Sequence, residues 1–307
     1  MDLVQLRNFL TVVEQRSISN AAIVLGVAQP ALSRQLQMLE KSLGTALLVR
    51  HRRGVDPTPA GELAATHARA ILSCERAFRD EINVIASTPT GPLAVGVSSS
   101  LAHIMLPAIA ITGKQDLPDV QLKLLEASSL ALQERLHTQE VDLAVLQGVG
   151  AATTLASRVL FTEELVAVGA PGVFDPNVEA TVDEVLERQV ITTPLSSKFR
   201  HVCEQAAERR NASTTIMELD SFSALLKLLA TGAGVTFLPY ATIHDHVEQG
   251  ALSWATVAGH SLKRRIYISR LKTRPVSPAM KRVEAIILKF ISENRATLRW
   301  SVRARLA

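Results

Sequence analysis

Cysteine is scarce in this chain: Cys74 and Cys203 stand far apart, with no CxxC spacing and no Cys/His pairing beside either. That excludes a disulfide framework or structural zinc site as the organising principle and predicts a reducing compartment. Long apolar runs are missing too. No stretch reaches the roughly 18 uninterrupted apolar residues of a membrane span. The opening MDLVQLRNFL mixes Asp2, Gln5 and Arg7 with apolar residues and so has no export-signal pattern. A cytoplasmic protein without a membrane partner is expected. Catalytic signatures are equally wanting: there is no P-loop, HExxH, GxSxG or carboxylate dyad, so no metal, cofactor or enzymatic activity is predicted. His244 and His246 form an HxH, but two residues apart on a helix they point to different faces.

What is present suits a folded chain of two domains, or of one small and one large module: 307 residues, 47% hydrophobic and 20% charged. The net charge of +4 conceals a division. Residues 1–90 carry 10 Lys/Arg against 8 Asp/Glu, residues 91–259 carry 10 against 19, and residues 260–307 carry 13 against 2. Clustered positive charge attracts nucleic acid through counterion release, although a basic block also serves as a solvated helix face or tail.

The first segment reads as short helices. Leu3, Leu6, Phe9, Leu10 and Val13 recur at helical spacing, Arg16-Ser17 breaks the run, and Ser19 is placed to cap a second helix that Gly26 ends. After the turn Val27-Ala28-Gln29, Pro30 suits the first turn of a third helix. Leu32, Leu36, Leu39 and Leu43 line one side of it, and Pro30, Ser33, Arg34, Gln37 and Lys41 the other. This is the pattern of a helix-turn-helix with a bare polar face. Arg50-His51-Arg52-Arg53-Gly54, flanked by Leu47-Leu48-Val49 and Val55, reads as a hairpin wing with a basic tip.

Thr58-Pro59 opens a long helix on which Ala64, Ala68, Ile71, Glu75, Phe78, Ile82 and Ile85 form a heptad seam. Its own segment has nothing else to bury that seam against, which points to a second copy of the chain; packing on the neighbouring small helices is the alternative. Ser87 to Pro92 has the composition of a linker. Beyond it, short apolar strands alternate with helices. Strands are predicted at 93–97, 120–126, 142–146, 164–169, 189–193, 214–218, 235–238, 252–257 and 265–270. Helices are predicted at 101–113, 129–138, 181–187, 198–210 and 221–231, with a last one from Pro278. The alternation implies a mostly parallel α/β fold long enough for two lobes.

The N-terminal residues Ala21-Ala22, Leu25, Gln29-Pro30-Ala31-Leu32-Ser33-Arg34-Gln35-Leu36, Leu39-Glu40, Leu43-Gly44, Leu47, Arg50 and Thr58-Pro59-Ala60-Gly61 closely resemble the N-terminal domain of LysR-type transcriptional regulators. Asp142-Leu143-Ala144-Val145, Leu219-Asp220-Ser221, Gly232-Ala233-Gly234-Val235 and Leu238-Pro239 resemble that family's effector domain. The Ser221–Pro239 stretch looks most like the branch related to nitrogen assimilation control. The resemblance implies a winged helix-turn-helix at 1–58 and a dimerisation helix and hinge at 59–90. It further implies a two-lobed, periplasmic-binding-protein-like effector domain at 91–307, with lobe I at about 91–162 and 269–307 and lobe II at about 163–268.

By position, the resemblance puts Gln29, Pro30, Ser33, Arg34 and Gln37 on the DNA-facing side of the third helix, and Arg52 and Arg53 on the wing. The chemistry agrees, since Arg pairs bidentately with guanine, Gln with adenine, and the Pro ring meets a thymine methyl. Ala28 departs from the family's usual Ser or Thr and forgoes a helix cap. The implied partners are an operator with an inverted repeat, a further one or three copies of the chain, RNA polymerase and a small effector between the lobes.

For the effector, Ser98-Ser99-Ser100 and Ser196-Ser197 with Arg200 begin strand-following helices, where hydroxyls and free N–H groups suit an organic anion. Ser128 and Gln147 stand at the expected cleft edge. Plain helix capping, and an exposed arginine, are the simpler readings of the same residues. Gly232-Ala233-Gly234 lacks the third glycine of a dinucleotide fingerprint and precedes a strand, so close packing of a helix end is expected. An enzyme acting on a small anion, with the N-terminal module used for docking, is the rival function; a transporter's solute-binding protein fails on the missing export signal.

Overall fold

The computed structural model describes residues 1–52, 54–85, 89–148, 154–192, 216–258 and 262–302, except the side chains at 76, 77, 80, 81, 83–85 and 216. Helices α1 (Leu3–Gln15), α2 (Ile18–Leu25) and α3 (Gln29–Leu43) are followed by a hairpin of β1 (Leu48–His51) and β2 (Gly54–Pro57). Their apolar faces meet in one core: Leu6, Phe9 and Leu10 from α1, Ile18, Ala21 and Ala22 from α2, and Leu32, Leu36 and Leu39 from α3. Leu43, expected on the α3 stripe, is 43% exposed because the helix outruns that core.

The second helix is capped by Ser17, whose Oγ accepts the Asn20 N–H at 3.3 Å, and not by Ser19. Arg16 closes α1 in a left-handed conformation (φ 48°), leaving Ser17 extended at the cap position and Ser19 already within the helix. Gly26 ends α2 at φ 65°, as its position predicts. No side-chain bond caps α3 at Ala28. Glu40 ties α3 to the wing, accepting the Leu47 N–H at 2.8 Å and the Leu48 N–H at 3.2 Å.

The long helix is α4 (Pro59–Ile85). Its Thr58 cap accepts the Gly61 N–H at 2.9 Å. The expectation that nothing in its own segment covers the seam needs correction for the first half: Ala65, Ala68 and Leu72 are buried in the winged core, with Ala64 against it. Ile71, Phe78 and Ile82, further along, are exposed.

The remaining elements are β3 (Gly91–Ser98), α5 (Ser99–Asp116), β4 (Val120–Ala127), α6 (Ser129–His137), β5 (Leu143–Gln147), β6 (Leu155–Gly169), α7 (Val182–Leu186) and β7 (Val190–Thr192). Then follow β8 (Ile216–Glu218), α8 (Phe222–Ala230), β9 (Thr236–Pro239), α9 (Tyr240–Glu248), β10 (Ser253–Ala255), β11 (Lys263–Leu271) and α10 (Pro278–Asn294). One curled sheet has the order β10-β6-β11-β5-β3-β4, with β9 also on β6; β7 and β8 pair separately. Parallel pairing holds for β4-β3-β5 and β7-β8, whereas β11, β6, β9 and β10 pair antiparallel. The sheet is therefore mixed, because β6 and β11 cross between two lobes instead of closing βαβ units.

Strand β6 starts at Leu155, nine residues before the expected 164, and so carries that crossing. Phe161 and Ile266 belong to the core of lobe I with Val95, Val97 and Met105, while Val166 and Val168 belong to lobe II with Leu225, Leu229 and Leu238. Gly234 brings the α8–β9 connection close to β7: a Cβ there would lie 2.5 Å from the Gln189 carbonyl oxygen. The predicted helix 198–210, and the strand before residue 216, lie outside the described residues.

Candidate functional site

Two surfaces hold the residues expected to carry function. On the winged domain, Gln29, Pro30, Arg34 and Gln37 are exposed along α3, Ser33 is half-buried beside them, and Arg52 is exposed at the hairpin turn. Helical periodicity explains the sorting: Leu32, Leu36 and Leu39 face inward, which rotates these polar residues to the open side. Arg53 lies outside the described residues.

The second surface lies where the chain reverses its sense of winding. From β3 it passes through α5 to β4 on one side, then through α6 to β5 on the other. The carboxyl ends of β3 and β5 thus flank a topological switch point, the usual ligand crevice of an open α/β sheet. Ser98 stands at the end of β3. It is 4% exposed, makes no side-chain cap to α5, and buries its Oγ without a hydrogen-bond partner. A buried hydroxyl without a protein partner is satisfied by an ordered water or by a ligand.

Across the switch point lies a side chain that the sequence pattern had not singled out. Arg264 of β11 donates from Nη2 to Ser100 Oγ at 2.9 Å and from Nη1 to Gln147 Oε1 at 2.9 Å. Its Nε donates to Glu163 Oε1 at 2.6 Å. The structure therefore joins Ser100 and Gln147, two of the expected residues, through Arg264, while Ser98 stands at the end of β3 and Ser99 is half-buried on the first turn of α5. Three of the five N–H donors of the guanidinium are used in these bonds. Ser128 is engaged locally, capping α6 by accepting the Ala131 N–H at 3.2 Å. Its neighbour Ser129 holds the end of β5, accepting the Gln147 N–H at 3.1 Å. Ser196, Ser197 and Arg200 lie outside the described residues.

Arg264 sits within the run Lys263-Arg264-Arg265, which reads as surface charge. Strand parity was the available signal: 264 shares a face with the buried Ile266 and Ile268, while Lys263 and Arg265 point outward. The predicted strand began at 265 and so stopped one residue short. Nearby, His103 of α5 stacks on Phe222 of α8, ring centroids 6.1 Å apart, bridging the lobes. Burial lowers its pKa below the ordinary imidazole value, and Asp245 opposes that shift. His244 lies against Tyr240, Nδ1 to the phenol oxygen at 3.4 Å. No group of three or more potential metal ligands is found among the described residues.

The molecule so described is a winged helix-turn-helix carried on a long helix and joined to a two-lobed α/β domain with a polar crevice between parallel strand ends. Two families match it: bacterial regulatory helix-turn-helix protein, lysR family, over residues 3–62, and LysR substrate binding domain over residues 86–291. The chain belongs to the LysR family of transcriptional regulators. It is similar to the nitrogen assimilation regulatory protein nac of Klebsiella aerogenes, 32% identical over 96% of this chain and 98% of that protein. It is also similar to the Escherichia coli (strain K12) protein of the same name, 30% identical over 95% and 96%. The expected similarity to that branch is thus found.

Among solved structures, a full-length OxyR variant from Pseudomonas aeruginosa superposes with a TM-score of 0.72 at 21% identity, covering 100% of this chain and 99% of that one. Full-length CbnR complexed with its target DNA gives 0.65 at 21%, covering 94% and 100%. At that identity the likeness speaks for the fold. The families and the named relatives are regulators and not enzymes, which disposes of the rival enzymatic reading.

Proposed function

We propose that this regulator binds an inverted-repeat operator as a homodimer or homotetramer and answers to a small organic anion held between its lobes, in the cytoplasm. The reading divides the chain into a winged domain at 1–58, a dimerisation helix and hinge at 59–90 and an effector domain at 91–307. Recognition rests on Gln29, Pro30, Ser33, Arg34 and Gln37 in the major groove, with Arg52 and Arg53 on the backbone or minor groove. The CbnR structure with its target DNA supports this use of the fold. Ile71, Phe78, Ile82 and Ile85 serve pairing with a second copy, and the rearranged oligomer on DNA is what RNA polymerase meets.

One observation carries the effector reading: the Arg264 guanidinium between Ser100 and Gln147 at the switch point. Glu163 takes Nε, leaving the terminal nitrogens with neutral partners that an anion can displace. An arginine grips a carboxylate through paired charge-assisted hydrogen bonds, and the N-terminus of α5 adds partial positive charge. No helix among the described residues is long and apolar enough to cross a membrane.

Genomic footprinting of the purified protein identifies the operator, after which candidate metabolites are titrated against parent and Arg264→Ala. The parent is expected to respond to a carboxylate and the variant to bind operator without responding. A parent that responds to an uncharged ligand alone, or a variant that responds as the parent does, overturns the reading.

A further inference from the structure

Beyond the last long helix, residues 295–302 return to the boundary between the lobes. Backbone bonds pair Ser301 with Thr162 of β6 in both directions, at 2.9 and 2.8 Å. On the lobe I side, Trp300 is buried and stacks on Phe161 with ring centroids 4.3 Å apart. On the lobe II side, the Arg299 guanidinium lies 4.6 Å from the Trp254 ring centroid and 5.6 Å from that of Tyr240. Arg299 reaches this position at φ 56°, a left-handed conformation uncommon for a residue with a side chain. Adjacent residues of one segment are thus fastened to opposite lobes, at the level of β6 where the chain crosses.

The same segment is wired to the crevice. Trp300 Nε1 donates to Glu163 Oε2 at 3.1 Å, and the other oxygen of that carboxylate accepts from Arg264 Nε. Glu163 is 2% exposed, so neither partner is readily replaced by water. A buried carboxylate needs its charge paired and its lone pairs filled, and here the cleft cation does the first and the tail indole helps with the second.

We propose that Glu163 and Trp300 are positioning residues for Arg264, and that residues 295–302 form a strap across both lobes that is coupled through them to the state of the crevice. This rests on the reading of that crevice as the effector site. Ligand contact that draws Arg264 toward the crevice changes the charge balance at Glu163 and with it the hold on Trp300. The strap then carries the change to the lobe II aromatics through Arg299.

The chain's two tryptophans, Trp254 and Trp300, both belong to this arrangement, so the full-length protein contains its own reporter. In a Trp254→Phe background Trp300 alone emits in the tryptophan band. Adding Arg264→Gln, without any ligand, is expected to shift Trp300 emission, because it leaves the carboxylate beside the indole N–H unpaired. Adding Glu163→Gln to that variant should restore the parent spectrum. Lys263→Gln, which removes the exposed pair with Glu164, should not change it. In the otherwise natural chain, Trp300→Phe removes the indole donor and keeps an aromatic ring against Phe161, with a smaller side chain beside Phe290 of α10. Hydrogen exchange over Ser99 to Ala102 should then rise roughly tenfold, whereas a role confined to packing on Phe161 and Phe290 would loosen α10 and leave the start of α5 unchanged.

Unchanged Trp300 emission on Arg264→Gln overturns the coupling, as does unchanged exchange at the start of α5 in Trp300→Phe. If Arg264→Gln fails to fold, Ser100→Ala, which removes one contact of Arg264, must still shift the emission for the proposal to stand. None of these measurements uses a ligand. Coupling found together with a normal effector response in Arg264→Ala would therefore reject the effector reading and keep the strap.

Discussion

Arg34 and Arg52 carry the same charge but stand in different surroundings. Arg34 projects from a rigid helix whose opposite face is buried, which suits a fixed bidentate contact with a base edge; Arg52 lies at an exposed turn suited to phosphate. Arg34→Ala is expected to cost about 1 to 3 kcal/mol of operator affinity and to relax preference at one base pair. Arg52→Ala should weaken every sequence alike and reduce the salt slope by about one. Binding isotherms on operator and on scrambled duplexes, at several salt concentrations, check both. Equal losses of specificity in the two variants would refute the assignment. The exposed side of α3 was legible because a helix of known phase has only one way to bury Leu32, Leu36 and Leu39. The identity of the N-cap of α2 was not, because Ser17 and Ser19 are both plausible until the backbone of Arg16 is known.

Among the elements, α4 divides its apolar residues between two uses. Ala65, Ala68 and Leu72 cover the winged core, while Ile71, Phe78 and Ile82 remain 39%, 64% and 52% exposed. Three large apolar groups along one solvent-facing helix signal a covering partner, and the seam spacing suits another copy of the same helix. Ile71→Glu combined with Phe78→Lys is expected to give monomers in sedimentation and to abolish tight binding to a two-half-site operator. The parent's oligomeric state in this variant would show that the seam does not mediate pairing. The heptad spacing was readable from sequence, but which of its positions are consumed within the chain depends on how α4 crosses α1, and that is a tertiary matter.

Across the whole molecule, the long helix α4 meets the effector domain at a buried ion pair of that domain. Arg274 Nη1 lies 2.8 Å from Asp142 Oδ1 and 3.2 Å from Ser73 Oγ of α4, and Asp142 Oδ2 accepts the Ala94 N–H at 2.8 Å. Arg69 of α4 adds a looser pair with Glu140 at 3.7 Å. Breaking one side of such a pair leaves a charge without compensation in a dry interior. Asp142→Ala should therefore cost about 3 to 5 kcal/mol in denaturant unfolding, and Asp142→Ala with Arg274→Met should recover part of it. Strictly additive losses would mean that the two residues are not energetically coupled.

Within this chain, local rules determined a good deal without any coordinates. The stripe of α3, the glycine that ends α2, the wing, the strand–helix alternation and the serines at the start of α5 follow from side-chain periodicity and capping, which act over a few residues. Tertiary structure alone decided which charges are buried. Arg264, Glu163, Asp142 and Arg274 look like surface residues in sequence because their partners lie elsewhere in the chain: Arg264 meets Ser100 across 164 positions and Arg274 meets Ser73 across 201. A buried charge is stable only when such partners are brought to it, and the crossing strands β6 and β11, together with the returning tail at Trp300, bring Glu163 and Arg264 together at the crevice.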